Sequence, residues 1–91
     1  MLTASIEVKN KLGLHARAAN KLVEITSRYA CDIGIQHQGH GEAVNAKSIM
    51  SVMLLAAPKG SVLDVSADGH DEEEALTSIK AIFDDLFGEG E

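Results

Sequence analysis

His15 stands in the segment Gly13-Leu14-His15-Ala16-Arg17, where a loop gives way to a helical pattern. A helix start offers unpaired N–H groups and a partial positive charge, and both favour a phosphate. Arg17, two residues on, can add charge-assisted hydrogen bonds to phosphate oxygens. A neutral imidazole is a good nucleophile near neutral pH. The combination suits a histidine that is phosphorylated and dephosphorylated in turn. An ordinary exposed histidine beside a solvated arginine has the same local spelling, so spacing alone leaves both readings open.

Ser48 is the second candidate, in Asn45-Ala46-Lys47-Ser48-Ile49-Met50-Ser51-Val52-Met53. Serine is a preferred helix N-cap, and that role needs no further function. The helix it opens is unusual, because Ile49, Met50, Val52, Met53, Leu54 and Leu55 leave almost no polar face. A helix on one side of a sheet buries only one stripe. Some of Ile49, Met50 and Met53 should therefore face water and form a partner surface, for which methionine's adaptable side chain is suited. A short helix covered on all sides is the plainer alternative.

The other reactive residues carry weaker signals. His37 and His40 flank a glycine-containing turn, but no third ligand lies near them and no metal site is expected. Cys31 is the single cysteine and has no internal disulfide partner, so it reads as a small buried hydrophobe in a reducing compartment. No Gly-rich nucleotide loop, CxxC pair or hydrolase triad order is present.

The elements that must position these residues follow from periodicity. Thr3 to Lys9 alternates with Ala4, Ile6 and Val8 on one side, which is a half-buried strand. Ala16 to Arg28 reads as a helix with Ala18, Leu22, Ile25 and Tyr29 on one face. Cys31 to His37 alternates again, Gln38 to Gly41 is a turn, and Glu42 to Ala46 closes a hairpin. The helix from Ser48 runs to about Ala56 and is stopped by Pro58 and Gly60. Val62 to Ala67 is the fourth strand. Asp71 opens the last helix with capping-box spacing to Glu74, and Leu76, Ile79, Phe83 and Leu86 form its apolar stripe up to Gly88. The order is β-α-β-β-α-β-α. Each strand has one apolar face, which predicts an α+β fold with one antiparallel sheet, helices on one side and water on the other.

Length and composition bound the rest. Ninety-one residues suit a single domain, 1–91, and 45% hydrophobic residues argue against disorder. The longest apolar run, Val52 to Pro58, is far too short to cross a bilayer. The first residues lack the order of a secretory signal, so a cytoplasmic protein is expected. Residues 1–63 hold seven Lys or Arg against four Asp or Glu, a net of +3, and residues 64–91 hold one against ten, a net of −9. The overall −6 makes non-specific nucleic-acid binding unfavourable.

The segments Leu12-Gly13-Leu14-His15-Ala16-Arg17 and Asn45 to Met53, with Ala57-Pro58-Lys59-Gly60-Ser61, resemble those of one family. It is the HPr family of histidine-containing phosphocarriers of the bacterial phosphoenolpyruvate-dependent sugar phosphotransferase system. The resemblance covers nearly the whole chain. It implies an open-faced sandwich with strand order 1-4-2-3 and three helices on one face. It also implies that enzyme I phosphorylates His15 on Nδ1 (the pros nitrogen) and that enzyme II A domains receive the group. Arg17 would steady the phosphate. Ser48 would be the target of an HPr kinase/phosphorylase, and Ile49, Met50 and Met53 would be the docking patch. A monomeric carrier with no cofactor of its own is implied, not a stand-alone enzyme.

Two residues depart from the family pattern. Ala18 stands where Pro usually follows the Arg, which predicts a looser helix start. Ser51 stands where Gly is frequent, and it adds a hydroxyl near Ser48. Rival readings are a nitrogen-related phosphocarrier and an interaction module that carries no phosphate. A metallochaperone is disfavoured by the lack of CxxC, and an RNA-binding sandwich by acidity and by the lack of sheet aromatics.

Overall fold

In the computed structural model, which describes residues 1–89, the chain runs through β1 (Leu2–Glu7), α1 (Ala16–Thr26), β2 (Asp32–His37), β3 (His40–Asn45), α2 (Ile49–Leu54), β4 (Val62–Asp68) and α3 (Glu72–Asp84). A 3-10 turn, Leu86–Gly88, follows α3. The four strands form one sheet in the order β1-β4-β2-β3, and every neighbouring pair is antiparallel. The element order is the one the periodicity predicts, and the strand order is the one the family resemblance implies.

Alternation decides which way each strand faces. Ile6, Ile33, Ile35, Leu63, Val65 and Ala67 are all buried. They meet Ala18, Ala19 and Leu22 of α1, Val52 of α2, and Ala75, Leu76, Ile79 and Phe83 of α3 in one core. The opposite sheet face is polar. There Ser5 and Asp64 lie directly across from each other, and the Ser5 hydroxyl donates to the Asp64 carboxylate at 2.8 Å.

Element ends differ from the periodicity in instructive ways. β1 stops at Glu7, yet Val8 stays paired: its N–H donates to the Ser61 carbonyl, and its carbonyl accepts from Gly60 N–H, both at 2.8 Å. Helix α1 ends at Thr26, not Arg28, because the Thr26 side chain is drawn inside and its hydroxyl lies 2.8 Å from the Ala46 carbonyl. The hairpin turn shrinks to Gln38-Gly39, so β3 begins at His40. Helix α2 ends at Leu54, and Ala56 takes a left-handed φ of 47°.

The last helix holds two corrections. Asp71 sits at its N-cap but makes no capping bond. Its carboxylate instead accepts the N–H groups of Ala30 at 2.8 Å and Cys31 at 3.0 Å, tying the start of α3 to the α1–β2 connection. Leu86 is not part of the apolar stripe. The chain turns left-handed at Leu86 (φ 55°) and Phe87 (φ 53°), and this places Phe87, fully buried, edge-on to Phe83 with ring centroids 4.8 Å apart. Cys31 is buried, and burial together with the adjacent Asp71 carboxylate pushes its thiol pKa up.

The Ala30 N–H, foremost, and Cys31 hold the Asp71 carboxyl below the ordinary aspartate value despite partial desolvation. A depressed carboxyl stabilises the fold above its unfolded value, about pH 4, and loses that contribution as pH falls through the folded value. Asp71→Asn should therefore be less stable than the parent at pH 7. The gap should close as the pH is lowered through about 4 and below, as read by chemical denaturation at a series of pH values.

Candidate functional site

The site is built where two loops lock together. Leu14 N–H donates to the Ala57 carbonyl at 2.9 Å, so residues 8–14 and 57–61 are stitched at both ends, Val8 and Leu14. Gly13 makes the approach possible. Its φ is +70°, and a Cβ there would lie 2.5 Å from the Ala57 carbonyl oxygen and 2.9 Å from Pro58 Cα. Only glycine fits that backbone at that distance.

His15 is then delivered as the N-cap of α1, with φ −77° and ψ 179°. Its Nδ1 accepts the Arg17 N–H at 3.3 Å, and its carbonyl accepts Ala19 N–H at 2.9 Å. That first helical bond is formed with Ala18 in place of proline. Ala18 is fully buried. The other ring nitrogen, Nε2, is in hydrogen-bond contact with Glu89 Oε2. The His15 side chain is 28% exposed and that of Glu89 only 11%.

Glu89 is held in turn by Asn10. The buried Asn10 amide nitrogen donates to Glu89 Oε1 at 3.0 Å and to the Gly13 carbonyl at 2.8 Å. Burial pushes the Glu89 carboxyl up, but hydrogen bonds from Asn10 and His15 and the charges of His15 and Arg17 outweigh it. The net effect is a carboxyl below its usual range. The result is an open cleft lined by Lys11, Leu12, His15, Arg17, Gly88 and Glu89. It brings together a ring nitrogen with a lone pair, a helix N-terminus and an exposed guanidinium, an arrangement that can receive and return a phosphoryl group.

Ser48 caps α2, its Oγ accepting Ser51 N–H at 3.3 Å, and it is half-buried. Met50, Met53 and Leu54 are exposed, Met50 at 68% and Leu54 at 78%, and their spacing puts them on one side of the helix. Ile49 is half-buried and packs on the core, so less of it reaches solvent than of the two methionines. Leu12, 67% exposed in the His15 cleft, is an apolar surface residue that periodicity did not mark. His37 and His40 pack ring to ring across the hairpin at 4.3 Å. No cluster of three metal-ligating side chains occurs among the described residues.

Asn10 and Glu89 are the site residues that sequence reasoning missed. Asn10 reads as a loop residue and Glu89 as one of many tail acids. Nothing local marks their pairing, since Glu89 is 79 positions from Asn10 and 74 from His15.

Comparison with known proteins gives the family. A family model described as "PTS HPr component phosphorylation site" matches residues 2–85. The chain belongs to the HPr family. It is 45% identical over 91 residues to the phosphocarrier protein HPr of Neisseria meningitidis serogroup A, covering all of both chains. It is 35% identical over 85 residues to the phosphocarrier protein NPr of Escherichia coli K12, covering 93% of each. The crystal structure of HPr-C-His from Thermoanaerobacter tengcongensis superimposes with a TM-score of 0.91 at 42% identity, covering 98% of each chain. Membership of this family makes the chain a phosphocarrier of the phosphotransferase system and not a stand-alone enzyme.

Gly13→Ala should cost about 1–2 kcal/mol for the left-handed backbone alone. The clash with Ala57 should add to that and shift the His15 ring. A lowered thermal midpoint together with displaced His15 ring resonances checks both parts.

Proposed function

We propose that the protein takes a phosphoryl group from phosphorylated enzyme I onto His15 Nδ1 and passes it to enzyme II A domains during sugar uptake. The observation that carries this reading is the Nδ1 lone pair, turned to the α1 N-terminus in an open cleft beside Arg17. Attack by that lone pair forms the P–N bond while the bond from phosphorus to the donor breaks. The Arg17 N–H, freed from Nδ1, then faces the new phosphate together with the guanidinium. Exposed Met50, Met53 and Leu54, with half-buried Ile49, supply an apolar docking surface small enough for fast release. The carrier works as a cytoplasmic monomer. Higher identity to an HPr than to an NPr, together with the Ser48 segment, favours the sugar branch over the nitrogen-related one.

The test is incubation with enzyme I and labelled phosphoenolpyruvate, followed by acid. The parent should carry acid-labile label, and His15→Ala should fold yet carry none. Label retained by that variant would move the acceptor elsewhere. Arg17→Ala should slow transfer by one to two decades, the rate equivalent of losing charge-assisted bonds worth about 1.5–3 kcal/mol, with little change in stability.

Ser48 is proposed as a regulatory phosphorylation site for an HPr kinase/phosphorylase. A phosphate there adds about −1.5 to −2 charge next to Ile49 and Met50. A docking partner would have to desolvate that charge or be repelled by it. Ser48→Asp should fold normally and be phosphorylated by enzyme I more slowly at low salt, with partial recovery as salt rises. Equal rates and equal enzyme I affinity at every salt concentration would leave Ser48 as a plain helix cap.

A further inference from the structure

We propose that Glu89 is a positioning residue for His15, holding the imidazole in the tautomer that leaves the Nδ1 lone pair available for the phosphoryl group. This rests on the reading of His15 as acceptor.

A neutral imidazole has one N–H and one lone pair. Nδ1 faces an N–H donor, Arg17, and Nε2 faces a carboxylate, which can only accept. Both contacts demand hydrogen on Nε2 and the lone pair on Nδ1. The other tautomer would set a lone pair against a carboxylate on one side and two N–H groups against each other on the opposite side. The Arg17 contact, at 3.3 Å, is long, so the carboxylate is the stronger of the two constraints.

The carboxylate is itself fixed. Asn10 donates to its other oxygen, and the second hydrogen of the same amide goes to the Gly13 carbonyl. Flipping the amide would aim its oxygen at two oxygens, so these donors set its orientation. Asn10 Oδ1 is consequently left buried with no hydrogen-bond partner among the described residues, a cost a plain loop would have no reason to bear. Two further contacts anchor the tail. Lys21 Nζ donates to the Phe87 carbonyl at 2.6 Å, and the Phe87 ring is fully buried. The left-handed residues Leu86 and Phe87 turn the chain back toward His15.

The chemistry needs this carboxylate on the far nitrogen. When the Nδ1 lone pair bonds to phosphorus and the donor's bond to phosphorus breaks, the Nε2 proton stays in place and the ring becomes a cation. Positive charge thus develops against Glu89 as the reaction proceeds, and its carboxylate stabilises that charge more in the transition state than before it. Glutamine at this position could offer one oxygen and no charge.

The experiment uses the full chain with 15N-labelled histidine at about pH 8.5, where ordinary imidazoles are neutral. The parent should show His15 as the single Nε2–H tautomer. Glu89→Ala should show a mixture of the two tautomers and accept phosphate from phosphorylated enzyme I about tenfold more slowly, with Glu89→Gln between the two in rate. A merely structural tail contact would lower the thermal midpoint without altering the tautomer. An Ala variant with the parent's tautomer, or with the parent's rate, overturns the proposal. Failure of the parent itself to be phosphorylated at His15 would overturn the acceptor reading, and it would be seen before any variant is made.

Discussion

An imidazole in the place of a capping oxygen is the interaction on which this site depends. At most helix starts a Ser, Thr, Asp or Asn oxygen accepts the first free N–H groups. Here His15 Nδ1 does so, accepting from Arg17. A capping nitrogen must be unprotonated, and it must sit in the field of the helix N-terminus. Those are also the requirements for a nucleophile that will carry an anion. At 3.3 Å the cap is a long, weak hydrogen bond. Everything around it serves to hold the ring there. Gly13 lets the loop touch Ala57, Leu14 N–H bonds to the carbonyl of Ala57, and Val8 closes the far end of the stitched pair.

The apolar surface of α2 shows a different compromise. Val52 is fully buried and anchors the helix, and Ile49 and Leu55 pack partly on the core. Six residues make fewer than two turns, so the helix has little stability of its own and depends on that anchoring. Met50, Met53 and Leu54 lie outside the core cluster, and the apolar area they leave in water is unfavourable unless a partner covers it. Ser48 sits at the start of this surface as its N-cap.

The acidic last third makes specific contacts with the rest of the chain. Asp71 forgoes capping its own helix and binds the backbone of Ala30 and Cys31. Lys9 pairs with Asp84 at 3.2 Å, and Glu89 reaches His15. The acids therefore meet the mildly basic first part of the chain at several points. The pairing of Lys9 with Asp84 is exposed and worth little by itself. The contact of Glu89 with Asn10 and His15 is sheltered from water and is stronger.

Strand alternation at Ile33, Ile35, Leu63 and Val65, and the helical spacing of Ala18 and Leu22, are local patterns. They mark the sheet's inner face and the helix faces in the sequence itself, because a side chain's direction within one element depends only on its own backbone. The two motifs around His15 and Ser48 were legible for the same reason, since each lies within a few residues. Boundaries were less so: Thr26 is drawn in by Ala46 and Val8 is paired by Ser61, and these partners belong to other elements. Capping-box spacing at Asp71 was a sound local signal, overruled by two N–H groups some forty residues away that a carboxylate satisfies better. Asn10, Phe87 and Glu89 carried no signal at all. Their roles arise where the tail folds back on the first loop, and a contact across 74 residues leaves no period in the chain that makes it.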